Sequence, residues 1–149
     1  MGRILLVDDN EDILLLNEVV LKQGGHEIAT ADSGGRALAM LSEDALPDLV
    51  VLDVQMADVD GWTVLERLRS NPTTEDLRVI LCTVKSSPRD LAHGWELGCD
   101  GYVFKPFDIK DLERVVREVL ARSTEDRKAQ RGYALEAAMA VVEHDRRPD

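Results

Sequence analysis

The sequence predicts an α/β fold, a parallel five-stranded sheet with helices on both faces. Short apolar runs alternate with helically spaced apolar residues five times in succession. The runs DLVVLD (48–53) and RVILCT (78–83) are continuously apolar and rich in β-branched residues, so both faces of each strand are covered. Glycine and proline punctuate the units at Gly24-Gly25, Pro47, Pro88 and Gly98.

The elements follow in order. RILLV (3–7) reads as a buried strand. Ile13, Leu14, Leu16, Val20 and Leu21 then recur at helical spacing, and Gly24-Gly25 end that helix. HEIATA (26–31) is a second strand, and Ser33 caps a helix carrying Ala37, Leu38 and Leu41. Pro47 breaks the chain before the strand 48–53. Gly61 precedes a helix with Val64, Leu65 and Leu68 on its inner face. The strand 78–83 leads to a helix with Pro88 in its first turn and Gly98 at its end. GYVF (101–104) is the fifth strand, and Asp108 caps a helix with Leu112, Val115, Val116 and Val119 inward. Beyond residue 121 the character changes. RSTEDRKAQRG (122–132) is a polar linker or a solvated helix. Leu135, Ala138, Met139 and Val142 then fall at i, i+3, i+4 and i+7, a short amphipathic helix near 133–144. The predicted organisation is one domain over 1–121 and an extension over 122–149.

Composition narrows the function. With 44% hydrophobic residues the chain can build a core. Its net charge of −11 lies entirely within residues 1–120, because the remainder holds equal numbers of acids and bases. A body this acidic is repelled by phosphate backbones, which argues against direct nucleic-acid binding. No apolar run approaches the length of a membrane span, and the N-terminus has no apolar signal core, so a cytoplasmic protein is expected. Cys82 and Cys99 make no disulfide framework or metal spacing, and His26, His93 and His144 are scattered.

Right-handed crossovers bring the loops after each strand to one edge, where open α/β sheets bind ligands. Asp8 and Asp9 follow the first strand, Asp53 and Thr83 end the third and fourth, and Lys105-Pro106 follow the fifth. Alone, each has a plain explanation: a helix cap, a turn threonine, a surface lysine. Together they place three carboxylates at one edge, which repel unless a cation joins them. A hard divalent ion with oxygen ligands suits the set, and magnesium best, because it keeps waters for a phosphate. Thr83 and Lys105 suit a phosphoryl group, and a carboxylate beside the metal can act as nucleophile.

The stretches VDDNED (7–12), VVLDVQMADVDG (50–61), CT (82–83) and GYVFKPFD (101–108) resemble the receiver domains of bacterial two-component response regulators, the CheY-like family. The resemblance covers roughly residues 2–121. It implies a flavodoxin-like, doubly wound sheet of strand order 2-1-3-4-5. It also implies that Asp53 accepts a phosphoryl group from a partner histidine kinase or histidine phosphotransfer protein. Asp8, Asp9, Asp53 and the backbone carbonyl of Gln55 would bind Mg2+, and Lys105 would contact the phosphoryl group across a cis Lys105-Pro106 bond. Thr83 would swing toward the phosphoryl oxygens and Tyr102 would turn inward behind it. The surface of the fourth helix, fifth strand and fifth helix would then engage an output protein or a second copy.

The sequence departs from the family pattern in places. Ala57 stands where proline is usual, which loosens that loop. Val84 stands where a small residue is usual, so its branched side chain is expected to shield the site and slow both phosphorylation and hydrolysis. Lys85 and Gln55, each two residues beyond a site residue, are placed to tune the attacking water. Two other readings compete. A pseudo-receiver would keep the fold as an interaction module without phosphotransfer, against which the complete residue set argues. A haloacid-dehalogenase-like phosphatase needs Asp-x-Asp after its first strand, whereas Asp8-Asp9-Asn10 has the wrong spacing.

Overall fold

Alternating side chains along the strands build two cores, one on each side of a sheet. In the computed structural model, which describes residues 2–43 and 45–146, the strands are β1 (Arg3–Val7), β2 (Glu27–Ala31), β3 (Leu49–Leu52), β4 (Arg78–Thr83) and β5 (Gly101–Phe104). All neighbours pair in parallel, in the order β2-β1-β3-β4-β5. The helices are α1 (Glu11–Gln23), α2 (Gly34–Glu43), α3 (Gly61–Arg69), α4 (Pro88–Leu97), α5 (Ile109–Ala121) and α6 (Thr124–Arg146). Leu5, Val7, Val50, Leu52, Val79 and Leu81 face α2 and α3, packing on Ala37, Leu41, Val64, Leu65 and Leu68. Ile4, Leu6, Leu49, Val51, Ile80 and Cys82 face the opposite way, onto Leu14 and Leu21 of α1 and Leu112, Val116 and Val119 of α5. The doubly wound fold expected from the sequence is the observed one. The ends of β2 and β3 draw in slightly. Asp48 turns its carboxylate back to accept from the Arg3 N–H at 2.8 Å, and Asp53 extends past the ladder.

Local chemistry sets the helix starts. Asn10 accepts from the Asp12 and Ile13 amides, Asp60 from Thr63, and Ser87 forms a reciprocal capping box with Asp90. Asp108 accepts from Lys110, the cap the sequence predicted. Gly98 closes α4 at φ 98°, a left-handed backbone that favours glycine.

The C-terminal extension differs from its sequence reading. Residues 124–146 form one continuous helix of 23 residues, so the expected linker is mostly helical. This helix lies along α4. Two of its inward residues, Arg127 and Arg131, are charged, which is why the stripe reads as starting only at Leu135. Arg127 is 3% exposed, and Ala138 and Val142 are buried, whereas Met139 flanks the contact at 42% exposure.

Candidate functional site

The strand order carries five side chains to the C-terminal edge of the sheet. The Asp53 amide donates to the Val7 carbonyl at 3.0 Å, which seats Asp53 beside Asp8. The Lys105 amide donates to the Thr83 carbonyl at 2.9 Å, joining the β5 end to the β4 end. Asp8, Asp9 and Asp53 each place a carboxylate oxygen within 4.8 Å of the others. Asp8 and Asp53 are buried and Asp9 is exposed, so the cluster is open on one side.

Lys105 reaches into this cluster. Its Nζ lies 2.5 Å from Asp8 Oδ2 and 3.4 Å from Asp53 Oδ2. Burial on its own would depress the lysine pKa, but the hydrogen bond to Asp8 and the charge of Asp53 raise it, so the ammonium is held charged. Burial raises the Asp53 pKa, with Asp8 adding repulsion; Lys105 and the Gln55 N–H oppose the rise without cancelling it. A buried carboxylate of raised pKa that faces two more acids favours an added cation, and the all-oxygen donor set suits a hard one.

The remaining predicted residues surround this centre. The Gln55 amide donates to Asp53 Oδ1 at 3.3 Å, which folds the loop after β3 over the acids, with the Gln55 side chain outward. Thr83 is fully buried, and its Oγ1 accepts from the Lys85 amide at 3.2 Å. The Tyr102 hydroxyl donates to the Lys85 carbonyl, so this loop is gripped from both sides. Val84 stands at the rim, 52% exposed. The Lys105-Pro106 bond is cis. Cys82, beside the site, has its thiol pushed up to about 12 by burial and stays neutral.

Other residues support the loop after β3. Asp58 accepts from the Gly34 and Gly35 amides at 3.2 and 2.9 Å, tying that loop to the start of α2. A Cβ at Gly61 would stand 2.3 Å from the Asp53 carbonyl, so the chain behind Asp53 needs glycine. Neither Asp58 nor Asn10, which donates its backbone N–H to Asp8 Oδ1, stands out in the sequence, because short polar residues in loops are common.

Against known sequences, the family described as "Response regulator receiver domain" matches residues 4–117. The chain belongs to the response regulator receiver family. It is 37% identical over 125 residues to the DNA-binding dual master transcriptional regulator RpaA of Synechocystis, an alignment covering 83% of this chain and 51% of RpaA. The chain spans about half the length of the first curated relatives it matches. Chemotaxis response regulator CheY4 of Vibrio cholerae superposes with a TM-score of 0.75 at 27% identity, covering 80% of this chain and 98% of CheY4. The BeF3-activated DrrB receiver domain gives 0.72 at 33% identity, over 82% and 99%.

In this receiver the family match stops inside α5, so α6 lies beyond it. A second charged centre ties α6 down. Asp100, 2% exposed, lies between α4 and β5 and accepts from the Val79 amide at 2.9 Å. Arg127 reaches it at 2.9 and 3.1 Å, Arg131 at 2.7 and 3.1 Å, and Arg69 of α3 at 3.2 Å. Burial alone would raise the Asp100 pKa, but the arginines and the Val79 amide lower it. The crowding of cations shows on Arg69, whose pKa burial and its neighbouring arginines lower to about 10. The sequence carried one signal for this cluster, arginines four apart on one helical face.

Proposed function

We propose that this receiver is a phosphorylation-controlled signalling switch, with residues 1–121 as the receiver proper and 122–149 as an appended regulatory element. The observation that carries the reading is the convergence of Asp8, Asp9, Asp53 and Lys105 at one sheet edge, with Thr83 on the next strand. Asp53 Oδ attacks the phosphorus of a partner's phosphohistidine. The P–N bond breaks, the P–O bond of an aspartyl phosphate forms, and the leaving imidazole takes up a proton from solvent.

Asp8, Asp9, Asp53 and the Gln55 carbonyl would hold Mg2+, which supplies charge neutralisation for the transferring group. The chain's own residues do the rest. Lys105 contributes the nearest fixed positive charge. Bound phosphate offers strong acceptor oxygens to the Thr83 hydroxyl and the Lys105 ammonium. Their movement toward it biases the loop 84–87, which Thr83 and Tyr102 contact, toward a second packing. Couplings of this kind are worth about 1–3 kcal/mol. The chain is read as cytoplasmic, and among the described residues no helix is long and apolar enough to cross a membrane. Nucleic-acid contact is not part of the reading, since the receiver portion carries the net negative charge. A histidine kinase or phosphotransfer protein supplies the phosphoryl group, and a protein partner or second copy receives the output.

The test is incubation with acetyl phosphate and Mg2+. Wild type should acquire one base-labile, hydroxylamine-sensitive phosphoryl group, and Asp53→Asn none. Absence of labelling from acetyl phosphate and from phosphorylated kinases would favour the pseudo-receiver reading.

A further inference from the structure

The family fold is complete without α6, yet α6 is seated with unusual care. Ala92 of α4 and Ala138 and Val142 of α6 are buried although none belongs to the cores facing the sheet, which places them in a seam between the two helices. At its start, α6 is fixed to the base of the sheet. Arg127 bonds the Asp100 carboxylate and the Asp76 and Leu77 carbonyls, and Arg131 bonds Asp100. Asp100 in turn is tied to Val79 of β4, donating its amide to the Val79 carbonyl and accepting the Val79 amide on its carboxylate.

That base lies at the C-terminal end of α4. Because α6 runs beside α4 from there, it runs antiparallel, toward the phosphoryl edge. From Arg127 to Val142 α6 rises about 22 Å, against about 15 Å for the whole of α4, so it is long enough to run beside the full length of α4. On its other side α4 is pressed against the switch. A Cβ at Gly94 would meet the Tyr102 ring and the Leu81 side chain at 3.0 Å.

We propose that α6 is an intramolecular ligand of the α4 face, and that α6 docking and phosphorylation of Asp53 oppose each other. This rests on the phosphoryl-switch reading above. The helix bridges two bodies, a base that the sheet holds still and a helix whose leading end must shift when the loop 84–87 repacks. It cannot keep both contacts through that shift. Docked α6 therefore favours the unphosphorylated arrangement, and phosphorylation loosens α6. Linkage is reciprocal, so weakening the dock strengthens phosphoryl binding by the same factor. The α4 face becomes available to an output partner only when α6 leaves it.

The test uses the full chain with Mg2+ and beryllofluoride as a phosphoryl mimic. Ala138→Asp places a charge in the seam, and Ala137→Asp on the exposed face is its control. We expect Ala138→Asp to bind beryllofluoride about 5- to 150-fold more tightly than wild type, with Ala137→Asp unchanged. Amide exchange of α6 in wild type should accelerate when Mg2+ and beryllofluoride are added. Should Ala138→Asp fail to fold, Arg131→Gln weakens the anchor with Arg127 and Arg69 still in place, and the same tightening is expected. Equal affinities, or an α6 that exchanges at the same rate or more slowly on ligation, would overturn the proposal. If wild type binds no beryllofluoride at all, the receiver reading fails first and the inference falls with it.

Discussion

At the scale of single residues, the centre is a contest between burial and one lysine. Burial favours the neutral form of Asp53, and Lys105 opposes it. Because the folded pKa is raised, the ionised carboxylate is lost on acidification at a higher pH than for an exposed aspartate. A carboxyl-resolved NMR titration of the Mg2+-free protein should show this. In Lys105→Ala the half-point should move further up, since the nearest cation is gone; an unmoved profile would separate Lys105 from Asp53. At the rim, Val84 holds two methyl groups at the start of the loop that Thr83 anchors. Val84→Ala should speed hydrolysis of phospho-Asp53 several-fold, measured as the decay of labelled protein after donor removal. An equal or longer lifetime would end the shielding account.

At the scale of elements, the start of α6 is joined to the domain through a buried charge cluster on Asp100. Removing one partner of a buried ion pair leaves the others without compensation, at a cost of roughly 3–5 kcal/mol. Asp100→Asn should therefore lower the denaturation midpoint substantially, and α6 should be the first region to gain amide exchange. The Asp100 pKa is depressed in the folded state. Its stabilisation is thus present above the unfolded aspartate pKa and is lost as pH falls through the folded value. Acid should loosen α6 before the sheet, and circular dichroism with site-resolved exchange would show the order. This is also where the sequence was least legible. Arg127 and Arg131 fall in the stretch read as a polar linker or a solvated helix, and Asp100 drew no reading. Their burial follows from each other's presence, which no local pattern reports. The sheet was legible for the opposite reason. Runs such as Leu49–Leu52 and Val79–Cys82 are apolar on both faces, so only a covered parallel strand accounts for them.

At the scale of the whole molecule, the two cores hold the strand ends in register, and the register holds the acids together. Leu52 is fully buried and pairs with Val7 on one side and Leu81 on the other. Leu52→Ala should cost about 2–5 kcal/mol and weaken Mg2+ binding with it, because Asp53 is the next residue. The site residues were legible because each sits where a strand ends, and strand ends follow from hydrophobic pattern alone. The clamp from Asp58 to α2 and the grip of Tyr102 on Lys85 were not, since both depend on which loops the fold brings face to face.

Above all, Asp53 at this edge should accept a phosphoryl group. The most direct measurement is intact and peptide mass spectrometry after brief exposure to a phosphorylated histidine kinase domain, with and without a chelator. One phosphoryl group is expected, on the peptide containing Asp53, dependent on Mg2+ and absent in Asp53→Asn. Label of equal extent in Asp53→Asn, or none in wild type with Mg2+ across a panel of kinases, would contradict it.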